Sequence, residues 1–121
     1  MVQIPNYISK QLNELVYDLS KEIEIIALIL YGSYANGTWT KDSDIDIAVF
    51  SDSFTKMDPI EAIAYLLNKT IKFEVDIQPI SFNRLDYINS NLNPFVENIL
   101  QNGIYLFPSY NENNKNRYID K

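Results

Sequence analysis

Ile8, Leu12, Leu15, Val16 and Leu19 recur at helical spacing between Asn6 and Ser20. With Pro5 ahead and Asn6 available as a cap, the stretch predicts an amphipathic helix. The pattern then changes: Ile25 to Tyr31 is continuously apolar and stops at Gly32-Ser33, as in a strand covered on both faces. Residues 34–43, with Asn36, Gly37, two threonines and Lys41, read as a partly helical or irregular connection. Asp44-Ile45-Asp46-Ile47-Ala48-Val49 alternates carboxylate and aliphatic up to Val49-Phe50, the pattern of a strand with two unlike faces. Asp58-Pro59-Ile60-Glu61 opens a second helix, with Asp58 as cap, Pro59 at the first position and Glu61 completing a capping box. Ile60, Ile63, Ala64 and Leu67 are its expected buried face.

A third strand is expected over Ile71 to Ile80, with Phe73, Val75 and Ile77 on one face and Glu74, Asp76 and Gln78 on the other. The asparagine-rich stretch 81–93 reads as a loop holding at most a short helix. Asn93-Pro94 starts a helix through Gln101, with Phe95, Val96, Ile99 and Leu100 apolar and Gly103 as its stop. Ile104 to Phe107 is a last short strand. No internal repeat is present. The order of elements predicts an α+β domain over residues 1–108, a small mixed β-sheet packed against helices. Residues 109–121 form a polar tail, a frayed end or an arm for a partner.

A chain of 121 residues and 14.1 kDa holds one core, and no apolar run approaches a membrane span. Met1 to Pro5 lacks the basic and apolar parts of a signal peptide, so the cytoplasm is expected. Cysteine and histidine are both absent, which removes disulfides, zinc sites of the Cys/His type, thiol nucleophiles, Ser-His-Asp triads and imidazole bases together. Chemistry must rest on carboxylates, hydroxyls, lysines, backbone donors or a hard metal held by oxygen. A formal charge of −6 opposes direct nucleic-acid binding and suits a basic protein partner.

The chemistry-bearing pattern is Gly32-Ser33, then Asp44-Ile45-Asp46 after ten intervening residues, then Asp76 on another strand. Residues two apart in a strand share a face, so Asp44 and Asp46 can present oxygens to shared Mg²⁺ ions. Two such ions about 3.5–4 Å apart can clamp the attacking and leaving oxygens of an in-line displacement at phosphorus. Gly32 permits close backbone approach, and the Ser33 hydroxyl with adjacent N–H groups can hold a triphosphate. Asp76 can complete a metal site and accept a proton from an incoming hydroxyl, with Glu74 on the same face as its competitor. Singly, a Gly-Ser turn or an Asp-x-Asp pair is ordinary; jointly and at this spacing they suit nucleotidyl transfer.

Gly32-Ser33-Tyr34-Ala35-Asn36-Gly37 through Ser43-Asp44-Ile45-Asp46-Ile47-Ala48-Val49, with Val75-Asp76-Ile77 and Asn102-Gly103-Ile104-Tyr105-Leu106-Phe107, resembles the minimal nucleotidyltransferases (MNT) of the DNA polymerase beta-like superfamily. The resemblance covers nearly the whole chain. It implies the nucleotidyltransferase fold, ATP as substrate, two Mg²⁺ ions on Asp44, Asp46 and Asp76, and Gly32 and Ser33 at the phosphates. Many relatives carry arginine where this chain has Asn36; Lys41, in the same loop, is the cation available to compensate. The resemblance extends to antitoxins that modify a tyrosine of a HEPN ribonuclease toxin with AMP, which makes such a toxin the expected partner in an oligomer. Two alternatives stand beside it: a small-molecule nucleotidyltransferase of the aminoglycoside type, and a non-catalytic subunit that silences its partner by binding. Trp39 reads as a base-stacking or lid residue. Tyr110 and Tyr118 are conceivable self-acceptors among nine tyrosines, for which packing is the plainer reading.

Overall fold

The computed structural model describes residues 4–108 and the backbone of residues 117 and 118. The first helix, α1 (Asn6–Ser20), buries Ile8, Leu12, Leu15 and Leu19, the stripe its spacing predicts. Pro5, rather than Asn6, stands at its N-cap, and the Pro5 carbonyl accepts from Ile8 N at 3.0 Å and Ser9 N at 3.1 Å.

Strand β1 (Ile25–Tyr31) is central, antiparallel both to β2 (Ile45–Ser51) and to β4 (Ile104–Phe107). Strand β3 (Ile77–Phe82) runs parallel to β2, and a two-residue strand, β5 (Arg117–Tyr118), runs parallel to β4. The sheet order is β3-β2-β1-β4-β5. Both faces are covered, which is why β1 reads as an unbroken apolar run. On one face Leu28, Leu30, Ile47 and Val49 meet α1 and the helix α3 (Pro59–Thr70). On the other, Ala27, Ile29, Ala48 and Phe50 meet α5 (Pro94–Asn102) through Val96 and Ile99. The α+β class and mixed sheet are as the sequence predicts. Among the described residues no helix is long and apolar enough to cross a membrane. Apart from 117 and 118, the tail beyond 108, Tyr110 included, lies outside the described residues.

Three local expectations are corrected. The third strand begins at Ile77, not Ile71, because β2 offers partners only from Ile45 onward, opposite Ile77. Residues 71–76 are turn and bend, and the alternation of Phe73 and Val75 reflects half-buried side chains packed on the core from a loop. Pro79 sits in β3 without breaking the ladder, since β3 is an edge strand. Helix α3 buries Ala62, Leu66 and Thr70, not the expected stripe, and leaves Ile60 at 76% and Leu67 at 48% exposure. Asp58 caps it by accepting from Ile60 N at 2.8 Å, without a reciprocal bond from Glu61.

Candidate active site

Pairing directions bring three chain segments to one end of the sheet. Because β1 and β2 are antiparallel, the end of β1 lies beside the start of β2, and Tyr31 pairs with Asp46. Because β2 and β3 are parallel, their starts align, with Ile45 opposite Ile77 and Asp46 opposite Gln78. The Asp76 carbonyl accepts from Ile45 N at 2.8 Å, which fixes Asp76 beside Asp44 just ahead of both strands. Asp44, Asp46, Asp76 and Gln78 therefore share one face and one end.

The loop that delivers Asp44 is tied by its own side chains. Thr40 N donates to Ser43 Oγ at 2.9 Å and Ser43 N to the Thr40 carbonyl at 3.1 Å. Ahead of it, Gly32 adopts φ 77° and ψ −151°, where L side chains are strained, and precedes the short helix α2 (Ser33–Asn36). A methyl group on Gly32 would fall on Asp46 Oδ2. The glycine is what lets the turn lie against the carboxylate. The Ser33 hydroxyl at this turn has no hydrogen-bond partner among the described residues.

The carboxylates repel one another. The hydrogen bond to Asp76 holds Asp44 above the usual carboxylate range, and the Asp76 charge and desolvation act the same way. A bond between two carboxyl groups requires a shared proton, which is what like charges in one site retain when no cation is near. Asp46, half-buried beneath them, is raised by burial first and then by the charges of Asp44 and Asp76. Burial, then the Asp46 charge, push the neighbouring Tyr31 hydroxyl up as well.

This all-oxygen, mutually repelling donor set fits a hard divalent cation. Among the described residues no three His, Cys, Asp or Glu side chains close on one ion by themselves. Gln78, given no role in the sequence, donates Nε2 to Asp76 Oδ1 at 2.7 Å and so orients that carboxyl. Its signal was its place two residues after Asp76 on the same face. Glu74 lies in the bend before the strand, where its backbone N–H donates to Gln11 Oε1 at 3.1 Å.

Lys41 is exposed and forms no ion pair with the three carboxylates. Asn36 lines a cleft of about 140 Å³ with Tyr31, Gly32, Asn98 and Asn102. Trp39 stacks on Tyr34 at 5.3 Å between centroids and 7° between planes, a contact that braces the loop.

Residues 9–106 match the family described as nucleotidyltransferase domain. The Methanocaldococcus jannaschii protein named "Putative protein adenylyltransferase MJ1305" is 30% identical over 80 residues, 64% of this chain and 54% of that protein. The chain thus spans about half the length of the curated relative it matches. A crystal structure of a "putative nucleotidyltransferase" from Sulfolobus solfataricus superposes with a TM-score of 0.59 over 87% of this chain and 89% of that one. At 15% identity that likeness shows a common fold. With the family match running from α1 to β4 and the Gly-Ser turn meeting the Asp-x-Asp strand as the motif requires, the chain belongs to the nucleotidyltransferase domain family.

Proposed function

We propose that this domain transfers AMP from ATP to the hydroxyl of a protein acceptor, a tyrosine of a HEPN ribonuclease toxin, and so acts as its antitoxin. The observation that carries the transfer reading is the meeting of Asp44, Asp46 and Asp76 at one sheet end against Gly32. The name of the archaeal relative, a protein adenylyltransferase, supports a protein acceptor.

Nucleotidyltransferase domains use a nucleoside triphosphate and a divalent metal. Asp44 and Asp46 would hold Mg²⁺, which when bound neutralises triphosphate charge. The Gly32 turn admits the triphosphate close to the backbone, and the Ser33 hydroxyl donates to a phosphate oxygen. Asp76, oriented by Gln78, accepts the proton of the incoming hydroxyl. That oxygen bonds to the α-phosphorus, the bond to the β-phosphate bridging oxygen breaks, and pyrophosphate leaves.

The test is label transfer from ATP carrying a labelled α-phosphate, with Mg²⁺, using wild type and Asp44→Asn/Asp46→Asn, with and without the HEPN partner. Label is expected on the partner's tyrosine with wild type alone. Label on an aminoglycoside instead, or silencing of the partner by the double variant without any transfer, would overturn the proposal.

A further inference from the structure

Beyond the carboxylates, the stretch from α4 (Arg84–Ile88) to the start of α5 exposes a run of large apolar side chains. Leu85 is 59%, Ile88 59%, Leu92 76% and Phe95 48% exposed. This is no frayed loop. A capping box holds α4, with Asp86 N donating to Asn83 Oδ1 at 3.0 Å and Asn83 N to Asp86 Oδ2 at 2.9 Å. Tyr87 turns inward against Phe50, with ring centroids 5.6 Å apart, which leaves Leu85 and Ile88 on the outer side. Asn93 ties the following turn to α5 through Phe95 N at 3.1 Å.

The ridge leads into the site. The Phe95 ring meets Tyr31 edge-on at 5.7 Å, and Tyr31 is the strand partner of Asp46 and the neighbour of Gly32. Phe82 backs Phe95 at 6.4 Å and stacks on Phe50 at 4.9 Å, so the ridge stands on a packed aromatic wall. An apolar surface set on rigid support, running from the far end of β3 to Tyr31 beside the carboxylates, is a place for a partner. A net charge of −6 favours a basic partner.

We infer that Leu85, Ile88, Leu92 and Phe95 form the dock for the acceptor, a basic protein with an apolar docking face that delivers its hydroxyl past Tyr31 to Asp76. The inference rests on the transfer reading above and adds where the acceptor is held. The dock supplies binding of the macromolecule and takes no part in the chemistry, so its loss raises KM for a protein acceptor only.

The experiment uses Leu85→Gln/Ile88→Gln/Leu92→Gln, which keeps helix propensity while removing apolar surface. The control is Ile60→Gln/Leu67→Gln/Ile71→Gln on and beside α3, where exposure is similar. Two acceptors are compared: the HEPN partner, and N-acetyl-tyrosinamide, which offers the hydroxyl without a docking face. The α4 variant is expected to raise KM for the partner by about tenfold or more and leave transfer to N-acetyl-tyrosinamide at the wild-type rate. An unchanged KM, an equal rise in the α3 control, or a parallel loss with N-acetyl-tyrosinamide would each overturn the dock. If wild type labels no protein, the transfer reading falls, and calorimetric binding of the partner decides the dock alone: lost in the α4 variant it stands, retained it fails.

Discussion

Replacing Gly32 by alanine probes the closest approach in the site. The backbone at φ 77° and ψ −151° lies where a non-glycine residue costs roughly 1–3 kcal/mol. The added methyl would also land on Asp46 Oδ2, and turning that carboxylate off its rotamer costs about 0.5–1.5 kcal/mol more. The expected loss of stability is about 2–4 kcal/mol, a Tm lowered by about 10 °C in a domain of this size. Gly37 provides the comparison, since it also has positive φ, at 78°, but a methyl there meets nothing within 4 Å. Gly37→Ala should therefore lose only about 1–2 kcal/mol.

The clash can be isolated with an Asp46→Ala background, which removes Oδ2 and leaves the Asp46 Cβ at 3.5 Å from the new methyl, an ordinary contact. Urea unfolding of the two single variants and the double variant without Mg²⁺ should give a coupling of about 0.5–1.5 kcal/mol. In single-turnover transfer, Gly32→Ala should lose about a hundredfold or more, because displacing Asp46 by about an ångström spoils the reacting geometry. Additive stabilities together with equal losses for Gly32→Ala and Gly37→Ala would refute the reasoning.

Three further outcomes follow from other contacts. Gln78→Met removes the donor to Asp76 Oδ1 and should slow single-turnover transfer by about tenfold while changing stability by less than about 0.5 kcal/mol; an unchanged rate would show that Asp76 needs no orienting. Asp44→Asn/Asp46→Asn should raise the Tm of the metal-free protein near neutral pH, because the folded pKa values of both carboxyls are raised and their charged forms destabilise the fold as pH rises through them. Millimolar Mg²⁺ should raise the Tm of wild type alone, and an equal rise in the variant in a thermal-shift assay would contradict the assignment. Glu22 accepts from Lys69 at 2.5 Å and Tyr65 at 2.7 Å, contacts that hold it below its ordinary 4.5. Their stabilisation is present above that value and lost as pH falls through the lower folded one, so the Tm gap between wild type and Glu22→Gln should close on acidification; a constant gap would rule the contact out as a source of stability.

Much of the site was legible in the sequence because its parts are local. Asp44, just ahead of β2, and Asp46, within it, fall on one face by period, and the apolar run ending at Gly32 marks a buried strand turning sharply. What was not legible depends on partners. The alternation of Phe73 and Val75 satisfies a strand pattern, yet no strand lies alongside to pair with residues 71–76. On α3 the bulkier stripe was the natural choice for the core, but the small side chain of Ala62 and the span of Leu66 fit against the sheet. Burial follows the fit between two surfaces, and one helix read alone contains only one of them. The same holds for Leu85 and Ile88, whose outward position is set by Tyr87 reaching Phe50.

The site therefore depends on strand direction as much as on the motif. Asp76 lies far from Asp44 in sequence and beside it in space only because β3 runs parallel to β2. In an antiparallel β3 of the same length, its first residue would lie at the opposite end of the sheet, about 15–20 Å away at 3.3 Å per residue. The parallel run is made possible by the crossover through α3, long enough to return the chain to the starting end. Helix α3 thus shapes the candidate site without lining it: its packing through Ala62 and Leu66 fixes where β3 begins, and so where Asp76 meets Asp44.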